Sequence, residues 1–244
     1  MSKLGIKKNT RSNAITYLIV IVAFVLFTIL SNGGVLGRKT VGLLVPACCY
    51  IVMAISLNLT VGILGELSLG HAGFMSVGAF AGVVASTGLS STITSAPLRL
   101  AVAMVIGALF AAIAGFLIGI PVLRLRGDYL AIVTLAFGEI IKEIISCLIV
   151  GTDEKGLHIV FNYNGAKTVD DLGLTPTGTA IIKGAQGATG TQTIASFTAG
   201  FVLIMVALVI VLNFVNSRSG RAVMAIRDNR IAAESVGINI TKYK

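Results

Sequence analysis

Long apolar runs alternate with short polar segments along the chain. Six of the runs have about the 20 residues that a helix needs to cross roughly 30 Å of hydrocarbon. Lipid cannot satisfy backbone N–H and C=O groups, and the runs lack the alternation of barrel strands, so each is predicted to be a helix. The predicted spans are residues 14–30, 41–61, 69–86, 98–120, 128–150 and 195–215. The expected fold is an all-α, polytopic transmembrane helix bundle, with residues 1–244 forming one transmembrane domain.

The composition agrees with a membrane protein. The 244 residues are 55% hydrophobic and 12% charged, whereas soluble domains carry about 25% charged residues. The N-terminal basic segment and the first apolar run resemble a secretory signal, but the run is too long, so an uncleaved first helix is predicted. Cys48, Cys49 and Cys147 lie in apolar runs without CxxC spacing, so neither a disulfide framework nor a metal site is predicted.

The basic residues lie in short blocks at the ends of the apolar runs. A net charge of +9 could suggest nucleic acid, but this distribution is typical of residues that orient membrane helices, so no nucleic-acid partner is expected. With the N-terminus inside, the inside segments hold Lys3, Lys7, Lys8, Arg11, Arg124, Arg126, Arg218, Arg221, Arg227, Arg230, Lys242 and Lys244. The outside segments hold Arg38, Lys39, Lys155, Lys167 and Lys183, with Arg99 near a boundary. A cytoplasmic N-terminus is therefore predicted.

The segment 151–194 is polar and rich in Gly and Thr, which predicts an extracytoplasmic loop. Its stretch GAQGATG, residues 184–190, has the glycines of a phosphate-binding turn. No GK[ST] follows it, and no strand is predicted before it, so a flexible loop is favoured.

Small residues recur at helical spacing in the third and fourth spans. Gly78 and Gly82 form a GxxxG pair, which is typical of close helix packing. In the fourth span, residues that recur every four positions share one helical ridge. They are Gly107, Ala111, Gly115 and Gly119. A tightly packed bundle is therefore predicted.

The stretch GELSLGHAGF, residues 65–74, places polar groups and glycines between two apolar runs. Such breaks are tolerated in membrane proteins where the backbone lines a cavity or is buried against protein, and transporters use them near the substrate path. Gly65, Glu66, Ser68, Gly70 and His71 are therefore candidates for a helix break or transport path. The other interpretation is a cytoplasmic turn in which Ser68 caps the next helix and His71 bonds to a neighbouring helix.

Neither catalysis nor metal binding is expected of the two ionisable residues in this stretch. Glu66 and His71 are five positions apart, so on a continuous helix they would point about 140° away from each other. HExxH and GxSxG motifs are absent from the chain, and no catalytic residue is predicted.

The fifth span contains ionisable residues, which are expensive inside a membrane and rarely face lipid. Glu139 can meet Lys142 and Glu143 on one helical face, so an ion pair is expected. This group could contact substrate or relay protons, or it could form an outer-end ion pair that reaches toward headgroups. Ahead of the span, Arg124 and Arg126 are predicted cytoplasmic anchors, and Asp128 is predicted to cap the helix.

The basic segment 217–244 follows the last apolar run. Its apolar spacing predicts short amphipathic helices broken near Asp228 and Asn229, with Gly237 ending the second helix. A cytoplasmic hairpin of this kind is a docking surface. The alternative is a juxtamembrane segment attracted to anionic lipid.

Three stretches resemble one known family. They are LNLTVGILGELSLGHAGFMSVGAF, LRLRGDYLAIVTLAFGEIIKEI and SRSGRAVMAIRDNRIAAESVGINITKY, and they occur in the family's order. The family comprises the permease subunits, of the LivM type, of bacterial branched-chain amino acid ABC transporters.

The resemblance implies a non-catalytic permease in the bacterial inner membrane. Its partners would be a second, homologous permease, two ATP-binding subunits and an extracellular binding protein that delivers leucine, isoleucine or valine. No cofactor would bind this subunit, because ATP and Mg²⁺ would bind the ATPases.

The resemblance also implies a coupling segment within residues 217–244 that docks on the ATPases. The importer pattern EAA, separated by three residues from a Gly, is matched by Ala232, Ala233 and Gly237, while Ile231 replaces the Glu. The expected coupling residues are Arg218, Arg221, Arg227, Ala232, Ala233, Glu234 and Gly237. Family members continue with further helices, so a chain ending at Lys244 is expected to be a fragment or a natural truncation.

Two other transport functions remain open from the sequence. A related ABC permease could carry urea or short amides, since the shared motifs concern the coupling machinery and not the cargo. A secondary carrier could use Glu139 or Glu66 as its proton site.

Overall fold

The structure, a computed structural model, describes residues 2–90, 92–122, 125, 127–153, 156–162, 165–175 and 178–243. The predicted anchors Arg124 and Arg126, as well as Lys155 and Lys244, lie outside the described residues. The side chains of the N-terminal basic residues, Asp128 and Lys242 also lie outside them.

A helix forms over each of the six predicted spans. The helices are α1 (Ser2–Asn32), α2 (Arg38–Asn58), α3 (His71–Gly88), α4 (Ala96–Val122), α5 (Asp128–Ser146) and α6 (Phe197–Asn216). Three shorter helices follow, namely α7 (Arg218–Asp228), α8 (Arg230–Ser235) and α9 (Ile240–Tyr243). A π-helical turn, Leu59–Leu64, continues α2.

Four of these helices are long and apolar enough to cross a membrane, as judged over the described part of the chain. They cover Asn13–Asn32, Arg38–Leu64, Ala96–Val122 and Phe197–Asn216. The prediction of six spans is therefore confirmed for four. Helices α3 and α5, of 18 and 19 residues, are not among these four.

The all-α prediction is wrong between residues 148 and 183. Three antiparallel strands form a sheet in the order β2-β1-β3. They are β1 (Leu148–Asp153), β2 (Gly156–Phe161) and β3 (Thr179–Lys183). The fifth helix consequently ends at Ser146 and not at residue 150. The β-branched residues of these strands fit a pleated, half-buried surface, on which Val150, Ile181 and Ile182 become buried.

The sheet has its own apolar core. Val150, Ile181 and Ile182 are at most 2% exposed and pack with Phe80 and Val83 of α3. Strand β3 runs directly into Gly184, so a strand does precede the glycine-rich stretch, contrary to the prediction. Residues Gly184–Gln186 form a 3₁₀ turn, and no helix follows within residues 187–190, so the phosphate-binding interpretation gains no support.

The residues divide into two compact units. The first comprises Met1–Gly65 and Ala195–Lys244, and the second comprises Glu66–Ile194. In the first unit α2 packs against α6, with Cys48, Ile204 and Leu208 at the buried centre. A Cβ added to Gly200 would lie 2.7 Å from the Cβ of Cys48. This glycine therefore lets the two helices approach closely.

In the second unit α3 packs against α4 and α5. A Cβ on Gly107 would lie 2.5 Å from the Gly78 carbonyl oxygen, and one on Gly82 would lie 3.3 Å from the Ala103 carbonyl oxygen. A Cβ on Gly78 would lie 3.4 Å from the Cβ of Ala111. The predicted ridge therefore packs only over its first half, because a Cβ at Gly115 or Gly119 would meet no described atom within 4 Å.

Candidate functional site

The N-terminal segment of the first unit, residues 1–65, ends in an interrupted helix. After Asn58 the backbone of α2 widens into the π-helical turn, which ends at Gly65 in the left-handed conformation, with φ of +77°. The Gly65 N–H donates to the carbonyl oxygen of Thr60. π-Helical turns occur mostly as single turns and frequently at functional sites. The predicted interruption thus begins one turn earlier than the glycine-rich stretch itself.

Arg227 of α7 contacts this π-helical turn. Its Nη1 donates a hydrogen bond of 2.6 Å to the carbonyl oxygen of Gly62. A Cβ on Gly65 would lie 2.5 Å from the Cγ of Arg227, so the arginine stem fits against the bare glycine backbone. The contact joins residues 165 positions apart in the sequence.

Asp228 holds the same guanidinium from its other side. Arg227 donates to Asp228 Oδ1 from Nε over 3.0 Å and from Nη2 over 2.8 Å. Charge-assisted, forked contacts of this kind fix the orientation of an arginine plane. Asp228 therefore directs Nη1 of Arg227 toward Gly62.

Helices α7 and α8 form the predicted pair of short helices. Ser217 caps α7 by accepting from the Gly220 N–H over 3.0 Å, and Asn229 caps α8 by accepting from the Ala232 N–H over 3.0 Å. The break falls at Asp228 and Asn229, where the sequence predicts it. Arg221 donates to the carbonyl oxygen of Asn216 over 3.0 Å, which ties α7 to the end of α6.

The end of α8 is a Schellman motif. Gly237 has φ of +83°, its N–H donates to Glu234 O over 3.0 Å, and the Ile238 N–H donates to Ala233 O over 3.1 Å. These are the two bonds that define the motif, and the left-handed residue in it is usually glycine. The predicted role of Gly237 in ending this helix is confirmed.

The surface of α8 combines a buried alanine with exposed apolar side chains. Ala233 is 4% exposed, whereas Ile231 is 79% and Val236 is 77% exposed. Arg218, Ala232 and Glu234 are also exposed. Ile231 and Val236 are therefore large apolar side chains that α8 and its C-terminal cap leave in contact with solvent.

Two predicted helix caps are wrong. Helix α3 begins at His71 with Gly70 at the cap position, and no side chain caps it, so Ser68 lies too early in the chain to do so. Helix α5 begins at Asp128 with Gly127 at the cap position, so Asp128 is the first helical residue.

The start of α3 is instead fixed by α5. The Leu69 N–H donates to Thr134 Oγ1 over 3.1 Å, and Gly70 lies against the carbonyl group of Thr134. One turn on, a Cβ added to Gly73 would lie 3.0 Å from the Cα of Gly138. Glycines thus allow the backbones of the two helices to touch at this end.

A cavity of about 580 Å³ opens between α3, α5 and the turn after β3. Its apolar lining includes Phe80, Leu135 and Ile145, and the hydroxyl-bearing residues Ser76 and Ser146 add polar groups. Its charged lining residues, among those that the structure describes, are Glu139 and Lys142. Lys142 Nζ lies 2.9 Å from Glu139 Oε2, which is the ion pair that the helical spacing predicts.

The candidate path residues do not all meet at this cavity. Glu139 lines it, whereas Glu66, Ser68 and His71 are partly buried and are not among its described lining residues. Sequence patterns gave no signal for the cavity, because its walls come from three separated segments.

Apolar helices of spanning length, an interrupted helix and a pair of capped short helices together indicate a multi-pass membrane protein. Residues 39–244 match the family described as "Branched-chain amino acid transport system / permease component". The chain belongs to this family.

Two relatives carry the name "High-affinity branched-chain amino acid transport system permease protein LivM". The protein from Escherichia coli (strain K12) is 31% identical over 214 residues, which cover 85% of this chain and 48% of the relative. The protein from Salmonella typhimurium (strain LT2) is 31% identical over 216 residues, with the same coverage. The chain thus spans about half the length of these relatives. No solved structure matches it significantly.

Proposed function

We propose that this chain is the permease subunit of an ATP-driven importer for leucine, isoleucine and valine. It would work in a bacterial inner membrane with a second homologous permease, two ATP-binding subunits and an extracellular binding protein. ATP and Mg²⁺ would bind the ATPases and not this subunit. The family match and the names of the relatives support this assignment.

The observation that carries the proposal is the contact of Arg227 with Gly62 and Gly65. In the proposed mechanism, the ATPases bind α7 and α8, and the nucleotide-driven closure of the ATPases displaces both helices. Arg227 transmits the displacement to the π-helical turn at the end of α2. Because this turn leads directly into the non-helical segment at residues 65–70, a small movement there changes the path of the chain toward α3.

The exposed face of α8 is the proposed docking surface for the ATPases. Ile231 and Val236 offer apolar side chains that are almost fully exposed, and the Schellman motif fixes the end of the helix beneath them. A hairpin bound to anionic lipid would depend on its basic residues in addition to these apolar side chains. Sensitivity to loss of the basic residues therefore distinguishes the lipid role from ATPase docking.

The proposal is tested by ATP-driven uptake of labelled leucine into proteoliposomes that contain the full set of subunits. Uptake should require ATP hydrolysis and should persist after the proton gradient is dissipated. Leucine uptake that continues without ATP and stops with the proton gradient would support the secondary carrier instead, with Glu139 in the cavity as its candidate proton site. Uptake of urea or short amides but not leucine would support the amide permease.

A further inference from the structure

The ion pair Glu139–Lys142 lies on the rim of an otherwise largely apolar cavity. Both side chains project from α5 one turn apart, and they are 60% and 65% exposed. Phe80, Leu135 and Ile145 line the same cavity. A negative group, a positive group and an apolar wall thus border one open cavity.

We propose that this cavity is a binding site for a zwitterionic α-amino acid within the permease. Glu139 accepts hydrogen bonds from the substrate ammonium group, and Lys142 donates to the substrate carboxylate. The aliphatic side chain lies against Phe80, Leu135 and Ile145. This inference rests on the proposed function, because it identifies where the permease holds the cargo that it transports.

The exposed ion pair suits this exchange of partners. Ion pairs in contact with water contribute little to stability, so opening this pair for a substrate costs little. The zwitterion supplies one opposite charge to each partner, so both charges stay neutralised when it binds. Charge-assisted hydrogen bonds to Glu139 and Lys142 would then be gained at both ends.

The remaining lining favours a substrate with an uncharged side chain. The described part of the lining has one acidic and one basic residue, and the zwitterion uses both. A lysine or glutamate substrate would place a third charge against Phe80 and Leu135, where it has no opposite charge to meet. The cavity volume lies within the range of about 300–1,000 Å³ that is usual for small-molecule sites.

The turn after β3 closes one end of the cavity. A Cβ on Gly184 would lie 2.9 Å from the carbonyl oxygen of Ser146, so the turn lies directly on the last residue of α5. Ala185 and Gly187 of this turn also line the cavity. The sheet therefore positions one wall of the proposed site.

The test is equilibrium binding of radiolabelled leucine to the purified permease–ATPase complex without the extracellular binding protein, so that the permease alone determines selectivity. Two competitors each lack one charged group. Leucinamide keeps the ammonium group but has no carboxylate, and 4-methylpentanoate keeps the carboxylate but has no ammonium group. Both should compete weakly with leucine in the unmodified complex.

Each variant should lose discrimination against one competitor. Lys142→Met should weaken leucine binding by roughly tenfold or more while leucinamide binding changes little, because only leucine loses a charged contact. Glu139→Gln should likewise weaken leucine binding by roughly tenfold or more while binding of 4-methylpentanoate changes little. Glu143→Gln is the matched control, because Glu143 is an exposed carboxylate on the same helix that does not line the cavity. Copurification of the ATPases with each variant reports correct assembly.

Unchanged selectivity in both variants overturns the proposed site, as does the absence of saturable leucine binding to the unmodified complex. Either result leaves the proposed function standing if the complete transporter still takes up leucine with ATP. Failure of ATP-driven uptake by the unmodified transporter instead rejects the proposed function itself.

Discussion

Arg227 Nη1 donates to the carbonyl oxygen of Gly62 over 2.6 Å, so an arginine of α7 is bound to the π-helical end of α2. Within the first unit, this hydrogen bond ties the proposed coupling segment to the point where a membrane helix is interrupted. Asp228 holds the guanidinium in place, which makes the contact directional.

Arg227→Ala should uncouple ATP hydrolysis from uptake. The substitution removes the hydrogen bond to Gly62 but leaves the exposed face of α8 intact, so the ATPases should still bind and hydrolyse ATP. A hydrogen bond from a charged group is worth about 1.5–3 kcal/mol, which corresponds to a fall in uptake of roughly tenfold or more. Uptake and ATPase rates measured on the same proteoliposomes give the coupling ratio, which is the amount of leucine taken up per ATP hydrolysed.

Two variants control this prediction. Arg227→Lys keeps the charge but loses the forked contact, so it should also be impaired. Arg230→Ala removes a neighbouring arginine on α8 and should leave the coupling ratio near that of the unmodified protein. An unaltered ratio in Arg227→Ala would show that the contact does not transmit movement.

Gly65→Ala should destabilise the first unit for two separable reasons. The left-handed φ of +77° is unfavourable for alanine by about 1–2 kcal/mol, and the added Cβ would lie 2.5 Å from the Cγ of Arg227. Gly34→Ala is the matched control, since Gly34 has φ of +70° and its Cβ would meet no described atom within 4 Å. Thermal unfolding in detergent should show a larger loss of stability for Gly65→Ala than for Gly34→Ala.

The double variant Gly65→Ala with Arg227→Ala isolates the steric part. Shortening Arg227 removes the atom that the new methyl group meets, so the two effects should not add. Strict additivity of the two losses in unfolding free energy would mean that the side chains do not compete for the same space.

Local signals explain the parts of the fold that the sequence predicts correctly. Asn229 is a strong helix-capping residue and Gly237 suits a left-handed position, so the two breaks in the hairpin can be read from the residues nearby. The sheet could not be recognised in this way, because the apolar run at 144–150 continues directly from α5 into β1. Continuous apolar residues do not distinguish a helix from a buried strand.

The candidate sites depend on contacts that no local pattern contains. The sequence singles out Arg227 as basic and Gly65 as a breaker, but their contact spans more than 160 positions, and no spacing rule pairs them. The cavity likewise needs α3, α5 and the turn after β3 to come together. The sequence singles out Glu139 because an ionisable residue in an apolar helix is costly unless it is paired or reaches water, and the structure places it at the cavity beside Lys142. Its role in transport stays a prediction.

Ile231→Glu and Val236→Glu should abolish copurification of the ATPases. Both side chains are more than 75% exposed, so a carboxylate there disturbs a docking partner and not the fold of the hairpin. Ser235→Glu is the matched control, because Ser235 is an exposed neighbour on the same helix without a large apolar side chain. Normal recovery of the ATPases with both variants would reject α8 as the docking surface.

Gly107→Val should loosen the packing of α3 on α4. Its Cβ would lie 2.5 Å from the Gly78 carbonyl oxygen, a backbone atom that cannot rotate away. Overpacking of this kind costs about 1–3 kcal/mol, which a lower unfolding temperature in detergent would reveal. Gly115→Val on the same ridge should have little effect, since a Cβ there meets no described atom within 4 Å. Equal decreases in unfolding temperature for Gly107→Val and Gly115→Val would imply that Gly115 packs against another subunit.

The proposed topology places the sheet outside the cell and the α7–α8 hairpin inside. Ala166 and Ser219 are both exposed and can each be replaced by cysteine after Cys48, Cys49 and Cys147 have been changed to serine. A membrane-impermeant maleimide applied to intact spheroplasts should label Ala166→Cys and should label Ser219→Cys only after permeabilisation. The reverse pattern would place the N-terminus outside and would remove α8 from reach of cytoplasmic ATPases. Labelling of both cysteines in intact spheroplasts would mean that α6, the long apolar helix between the two positions, does not cross the membrane.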